Sequence, residues 1–142
     1  MATIQAIRRI QFAAGHRVLG HEGKCAHLHG HNYVVLFYAQ AEALDPVGRV
    51  IDFSVLKEKL GGWVDTHWDH GFIYCAQDVQ VQEIFQHLPD HKHFVLPYNP
   101  TAENLGRYLL EQVGPEQLHS TGVRLVRVVV WETENCCAEV IL

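Results

Sequence analysis

The residues best suited to chemistry lie in one stretch of eighteen, His16 to Tyr33, reading HRVLGHEGKCAHLHGHNY. It contains His16, then Cys25, then His29-Gly30-His31. Three neutral imidazoles can hold a zinc ion and leave its fourth position open to a substrate. A thiolate beside such a site can act on whatever the metal polarises. Cys25 lies between Lys24 and a histidine cluster in a glycine-containing loop, and nearby cations favour the thiolate. Cys75, Cys136 and Cys137 lack that setting and read as packing residues.

Strand geometry gives the spacing its meaning. Side chains at i and i+2 point to one face, so His29 and His31 are neighbours if that segment is a strand. Gly30 between them permits close backbone approach. A preceding strand ending at His16, paired with it, brings in the third imidazole. His21 and His27 compete as ligands, and their loop placement counts against them. An H-G-H triplet alone is weak evidence, since strand-end histidines are also structural.

The elements that must position these groups follow from periodicity. Residues Ala2 to Ala14 alternate as a strand, with Ile4, Ala6, Ile10, Phe12, Ala14 and His16 on one parity. His29 to Ala41 is rich in β-formers and gives a second strand. Asp52 caps a helix whose stripe is Phe53, Leu56, Leu60 and Val64. Trp68 to Asn99 is irregular. Thr101 caps a second helix through Ala102, Leu105, Leu109 and Val113, with Gly114-Pro115 as its stop. Val123 to Trp131 and Cys136 to Leu142 form a closing strand pair. The predicted fold is α+β: a four-stranded antiparallel sheet with two helices on one face, in a single domain over residues 1–142.

Composition sets the outer limits. The chain has 142 residues, enough for one buried core, and a formal charge of −5, which offers no broad footprint for nucleic acid. Eleven histidines are many for this length and point to metal or proton chemistry. No apolar run is long enough to span a bilayer, and the N-terminus lacks the pattern of a signal peptide. Four cysteines without framework spacing suit a reducing, cytoplasmic setting.

Six segments together resemble the 6-pyruvoyltetrahydropterin synthase family, most closely its bacterial 6-carboxytetrahydropterin synthase branch. They are FAAGHRV (Phe12 to Val18), CAHLHGHNY (Cys25 to Tyr33), GRVIDFSVLK (Gly48 to Lys57), WDH (Trp68 to His70), PTAEN (Pro100 to Asn104) and WET (Trp131 to Thr133). The three-residue gap between Cys25 and His29 resembles the carboxytetrahydropterin branch. The resemblance implies Zn2+ on His16, His29 and His31, and Cys25 as catalytic thiol. It implies that Asp69 and His70 are a catalytic dyad supplied by a neighbouring subunit. It also implies Glu103 as a pterin anchor and Glu132 as a second carboxylate of the site. Thr101 and Arg17 are candidate substrate contacts, with Lys24 a further cation for a triphosphate.

The implied fold is a tunnelling-fold domain whose sheets close into a barrel, as a homohexamer made of two trimers. The implied reaction converts 7,8-dihydroneopterin triphosphate to 6-carboxytetrahydropterin, acetaldehyde and triphosphate in 7-deazaguanine (queuosine) synthesis. The alternatives are triphosphate elimination alone, giving 6-pyruvoyltetrahydropterin, and a zinc- or pterin-binding module without turnover. Two departures stand out. Gly15 precedes His16 where the family usually has alanine. About thirty residues separate His70 from Pro100, more than in compact members; this stretch, with His87, His91 and His93, reads as a solvated loop.

Overall fold

In the computed structural model, which describes Met1–Leu142, the four expected strands form the centre of the sheet. They are β1 (Ala6–His16), β2 (His29–Ala41), β5 (Val123–Thr133) and β6 (Cys136–Ile141). β1 pairs antiparallel with β2, β2 with β5, and β5 with β6. Alternation fixes which side faces inward: Phe12, Ala14 and His16 on β1 and Tyr33, Val35, Phe37 and Ala39 on β2 are buried.

Residues 71–96 are not a loop. They form β3 (Gly71–Cys75), α2 (Val79–Gln86) and β4 (His93–Leu96). β3 runs parallel to β1, and β4 parallel to β3, so the sheet has six strands in the order β4-β3-β1-β2-β5-β6. The sheet is therefore mixed at this edge rather than antiparallel throughout. Ile73, Tyr74 and Cys75 are all buried, which removes the alternation that marks a half-exposed strand.

Two helices pack on the inner face. α1 runs as Phe53–Leu56, Lys57–Gly61 and Gly62–His67, the middle piece having π-helical hydrogen bonding. Asp52 caps it by accepting from the Ser54 N–H, as expected. Leu56, Leu60 and Val64 are fully buried, whereas Phe53 at the start is exposed. α3 runs as Ala102–Tyr108, Leu109–Val113 and Gly114–Leu118, again with a π-helical middle. Gly114-Pro115 thus lies inside the helix and does not end it. The Gly114 N–H bonds back to Leu109, and a Cβ at Gly114 would sit 2.8 Å from Leu125 Cδ1. Close packing on β5, not chain reversal, accounts for that glycine.

α2 lies on the other face. Phe85 packs against Phe72, Tyr74 and His93, which share the parity opposite to Ile73 and Phe94. His93 Nδ1 lies 3.0 Å from the Tyr74 hydroxyl, so it takes part in packing rather than in a histidine cluster. Cys75 is buried as expected, but Cys136 and Cys137 are exposed on the edge strand β6. No helix is long and apolar enough to cross a membrane.

Candidate metal centre and acid–base corner

His16 ends β1 and His29 opens β2, and the two are directly paired, with His31 opposite Ala14. All three side chains point to the inner face. One nitrogen from each lies within 4.8 Å of the others. His16 Nε2 and His29 Nε2 are 3.1 Å apart. Ligands about 2.0–2.1 Å from a tetrahedral zinc lie roughly 3.3 Å apart, so the cluster is close to that arrangement and slightly open.

The outer nitrogens fix the tautomers. His16 Nδ1 donates to the Pro100 carbonyl at 2.7 Å, and His29 Nδ1 donates to the His27 carbonyl at 2.6 Å. Both Nε2 atoms then present lone pairs to the same point, where they repel unless a cation is shared. His31 Nε2 is buried with no hydrogen-bond partner in the chain. Burial holds His16 down at about 4, with His29 and His31 adding to the effect, and burial also lowers His31. His16 and His31 are thereby kept in the neutral form that a metal ligand needs. The donor set therefore fits a divalent metal such as zinc.

Glu132 faces the same nitrogens. Its Oε1 lies 3.6 Å from both His16 Nε2 and His31 Nε2. Between Trp131 and Thr133 the pairing with β6 slips by one residue, leaving Glu132 as the extra residue of a β-bulge. Such a bulge re-aims a side chain, here toward the histidines.

Cys25 sits in a short 3-10 turn, Lys24–Ala26, half-buried. The carbonyl of Cys25 accepts from the Val18 N–H at 2.9 Å, closing the loop between β1 and β2. The thiol is not among the clustered ligands. The Tyr33 hydroxyl, beside the histidines, is pushed up chiefly by burial. Tyr33 in turn packs against His16 and His31. The loop that carries Cys25 thus joins the strand ends that bear His16 and His29, with the thiol outside the histidine cluster. His21 and His27 stay outside the cluster: His21 Nδ1 accepts from the Gly23 N–H, and His27 contributes only its carbonyl.

Asp69 and His70 are elsewhere. They form the corner between α1 and β3, with His70 Nδ1 3.0 Å from Asp69 Oδ2. Asp69 Oδ1 accepts from the Ala13 N–H at 3.0 Å, and the His70 N–H donates to the Ala13 carbonyl at 2.6 Å. His70 holds a left-handed φ of 60°, a strained choice for a residue with a Cβ. Its side chain is 82% exposed. It borders a shallow cavity of about 400 Å³ with Ala13, Ala14, Gly15, Gly30, His31 and Asn32. Of these, Ala13, Gly15, Gly30 and Asn32 have the parity opposite to His16 and His29, whereas Ala14 and His31 share it.

The remaining candidates divide as follows. Thr101 accepts from the Asn104 N–H at 3.1 Å as the cap of α3, and Glu103 is exposed in its first turn. Their helix is tied to the histidines through the Pro100 carbonyl. Arg17 makes a bidentate pair with Asp78, at 2.7 and 2.5 Å, and adds a bond to Gln80 at 3.0 Å. Asp78 is 1% exposed and also caps α2, so Arg17 is engaged in holding that helix rather than free in solvent. Sequence reasoning missed the Pro100 carbonyl and the Glu132 bulge. The only signal for the former is that Pro100 opens the PTAEN segment.

A mixed sheet covered by two long helices, with three convergent histidines at one end, defines an α+β protein with a candidate metal site. The 6-pyruvoyl tetrahydropterin synthase family model matches residues 5–141, and the chain belongs to that family. It is 37% identical over 137 residues to 6-carboxy-5,6,7,8-tetrahydropterin synthase of Rickettsia bellii, covering 96% of this chain and 99% of the relative. The enzyme of that name from Haemophilus influenzae is 31% identical, covering 93% and 94%. Among solved structures, WS1659 of Wolinella succinogenes superposes with a TM-score of 0.85 at 24% identity, over 99% of both chains. The 6-pyruvoyl tetrahydropterin synthase of Caenorhabditis elegans superposes at 0.71 with 26% identity, over 100% of this chain and 97% of that one. These likenesses establish the tunnelling fold.

Proposed function

We propose that the chain is a zinc-dependent 6-carboxytetrahydropterin synthase acting on 7,8-dihydroneopterin triphosphate. The observation that carries this reading is the convergence of three imidazole nitrogens beside a loop bearing Cys25. The relatives named for that activity support the substrate class. His16, His29 and His31 would hold zinc, and zinc so held supplies Lewis-acid polarisation of a substrate hydroxyl or carbonyl.

The chain's own groups do the rest. Cys25 moves a proton at the substrate side chain. In His70, Nδ1 faces Asp69, which leaves Nε2 free to exchange a proton with substrate. Glu132 sets negative charge beside the imidazoles, and Glu103 anchors the pterin, whose adjacent ring N–H and amino group suit a carboxylate. Proton transfer through Cys25 and His70 drives loss of triphosphate, and addition of one water with carbon–carbon cleavage then leaves the carboxyl on the pterin and releases acetaldehyde.

Because His70 is mostly exposed at the corner between α1 and β3 and stands outside the histidine cluster, we infer that a complete site takes His70 from a second copy, in a hexamer of two trimers. The four free cysteines support a reducing compartment such as the cytoplasm, and a role in 7-deazaguanine (queuosine) synthesis follows from the product. The test is direct: incubate the purified protein with dihydroneopterin triphosphate and identify products by mass. Acetaldehyde with 6-carboxytetrahydropterin is expected. A 6-pyruvoyl product would assign the elimination alone, and unchanged substrate would leave a binding module.

A further inference from the structure

Lys92 lies at the end of the long segment between His70 and Pro100, 23 residues from the corner it reaches. Its ammonium donates to the Asp69 carbonyl at 2.6 Å and to the Asp65 carbonyl at 2.9 Å. These are among the last carbonyls of the α1 end, where a cation also complements the helix dipole. The stem lies across Gly71: a Cβ there would come within 3.0 Å of Lys92 Cγ and Cδ. The Lys92 carbonyl accepts from the Phe72 N–H at 3.1 Å, which fixes the lysine to β3. Head, stem and backbone of one residue therefore grip residues 69, 71 and 72, on both sides of His70.

His70 needs such a grip. Its positive φ persists only where the surroundings over-determine it. With its side chain mostly in solvent, side-chain packing does not supply that constraint. Burial works to raise the Asp69 carboxyl, but the Ala13 N–H, His70 and the Lys92 charge together hold it below its ordinary value.

We propose that Lys92 is a positioning residue for the Asp69–His70 dyad, setting the imidazole's direction toward substrate through the Asp69 backbone. This rests on the reading of His70 as a catalytic group. In Lys92→Met the stem remains and the ammonium goes; Lys92→Arg restores a cation. On the assembled, zinc-loaded enzyme, Lys92→Met should lower kcat about tenfold with KM within about twofold, because misplacement acts on the chemical step. Lys92→Arg should recover most of the loss, with metal content and assembly size unchanged in both. A wild-type kcat in Lys92→Met would overturn the proposal. So would a fall that tracks loss of zinc or of the assembly, or an arginine variant as impaired as methionine. His70→Ala is run in the same assay: if inactive, any failure belongs to Lys92 alone; if fully active, the dyad reading fails and the proposal with it.

Discussion

Where β1, β2 and β3 meet, adjacent residues serve different chemistry on the two faces of one sheet. His16 points inward to a centre whose nitrogens are oriented by backbone carbonyls; Gly15 beside it points outward to the cavity of His70. At the inner centre His16 is buried, at 1% exposure, His29 and His31 are half-buried, and all three are placed by strand pairing. The outer dyad is exposed, strained in its backbone, and held by hydrogen bonds to β1 and to Lys92. A metal centre gains from enclosure, which keeps imidazoles neutral and fixed. A proton carrier to be completed by another copy must remain accessible. On the proposed reading, one chain builds the first site alone and presents the second to another copy.

The largest effects test the inner centre. His29→Ala with His31→Ala should reduce bound zinc from about one per chain to near zero and turnover to background, as metal analysis and the product assay would show. Full zinc in that variant rules the ligand assignment out. Cys25→Ala should lower turnover by about 10²–10⁴ while keeping zinc, since the thiol stands outside the ligand cluster. Loss of zinc there would move Cys25 into the coordination shell.

The next test joins the two faces. Cys25→Ala and His70→Ala chains, each inactive, should complement on co-assembly. If thiol and imidazole come from different copies, an equal random mixture has both intact in about a quarter of its sites, with activity to match. Verified mixed oligomers that stay inactive would show that both groups come from one chain.

Much of the inner centre was legible because it depends on short-range rules. Parity puts His29 and His31 together, and a hairpin-like return brings His16 alongside. The outer site was not legible in the same way. Where His70 stands depends on β3 running parallel to β1, a pairing of segments nearly sixty residues apart with only three residue pairs. β3 and β4 are five and four residues long, and β3 is buried without alternation, so neither left a period in the sequence. Gly114-Pro115 misled for another reason: a π-helical turn carries α3 past the proline, a backbone device with no compositional sign. The pairing of Arg17 with Asp78 is equally remote, and it makes a candidate substrate contact part of a brace.

That brace gives a stability prediction at the junction of the two regions. Asp78→Asn removes the charge partner of Arg17 and should lower stability by about 2–4 kcal/mol, seen as a fall in Tm of several degrees. The Arg17 hydrogen bond and charge, opposed by burial, hold the Asp78 carboxyl below its ordinary 3.8. The folded state therefore binds fewer protons than the unfolded one in that range, so the stabilisation is full above about 3.8 and is lost as the pH falls through the lower folded value. The gap between wild type and variant should narrow on acidification into that range. Arg17→Ala that changes only KM for the triphosphate substrate, with Tm unmoved, would return Arg17 to the role of substrate contact.

The smallest effect concerns Thr101, next to the carbonyl that orients His16. Its hydroxyl accepts from the Asn104 N–H, and an N-cap of this kind contributes about 1 kcal/mol. Thr101→Ala should lower Tm by roughly 3 °C, and Thr101→Ser should restore it. Zinc content should not change, because Pro100 is held by the chain on its other side as well. Asn99 exchanges two hydrogen bonds of 2.9 Å with Leu19 in the loop after His16, and the Asn99 carbonyl accepts from Asn104 at 3.0 Å. The support of the inner centre is thus redundant, whereas that of the outer dyad converges on few contacts. A Thr101→Ala protein that keeps its Tm but loses substrate affinity would make the hydroxyl a substrate contact; one that loses zinc would show that the inner centre depends on a single cap.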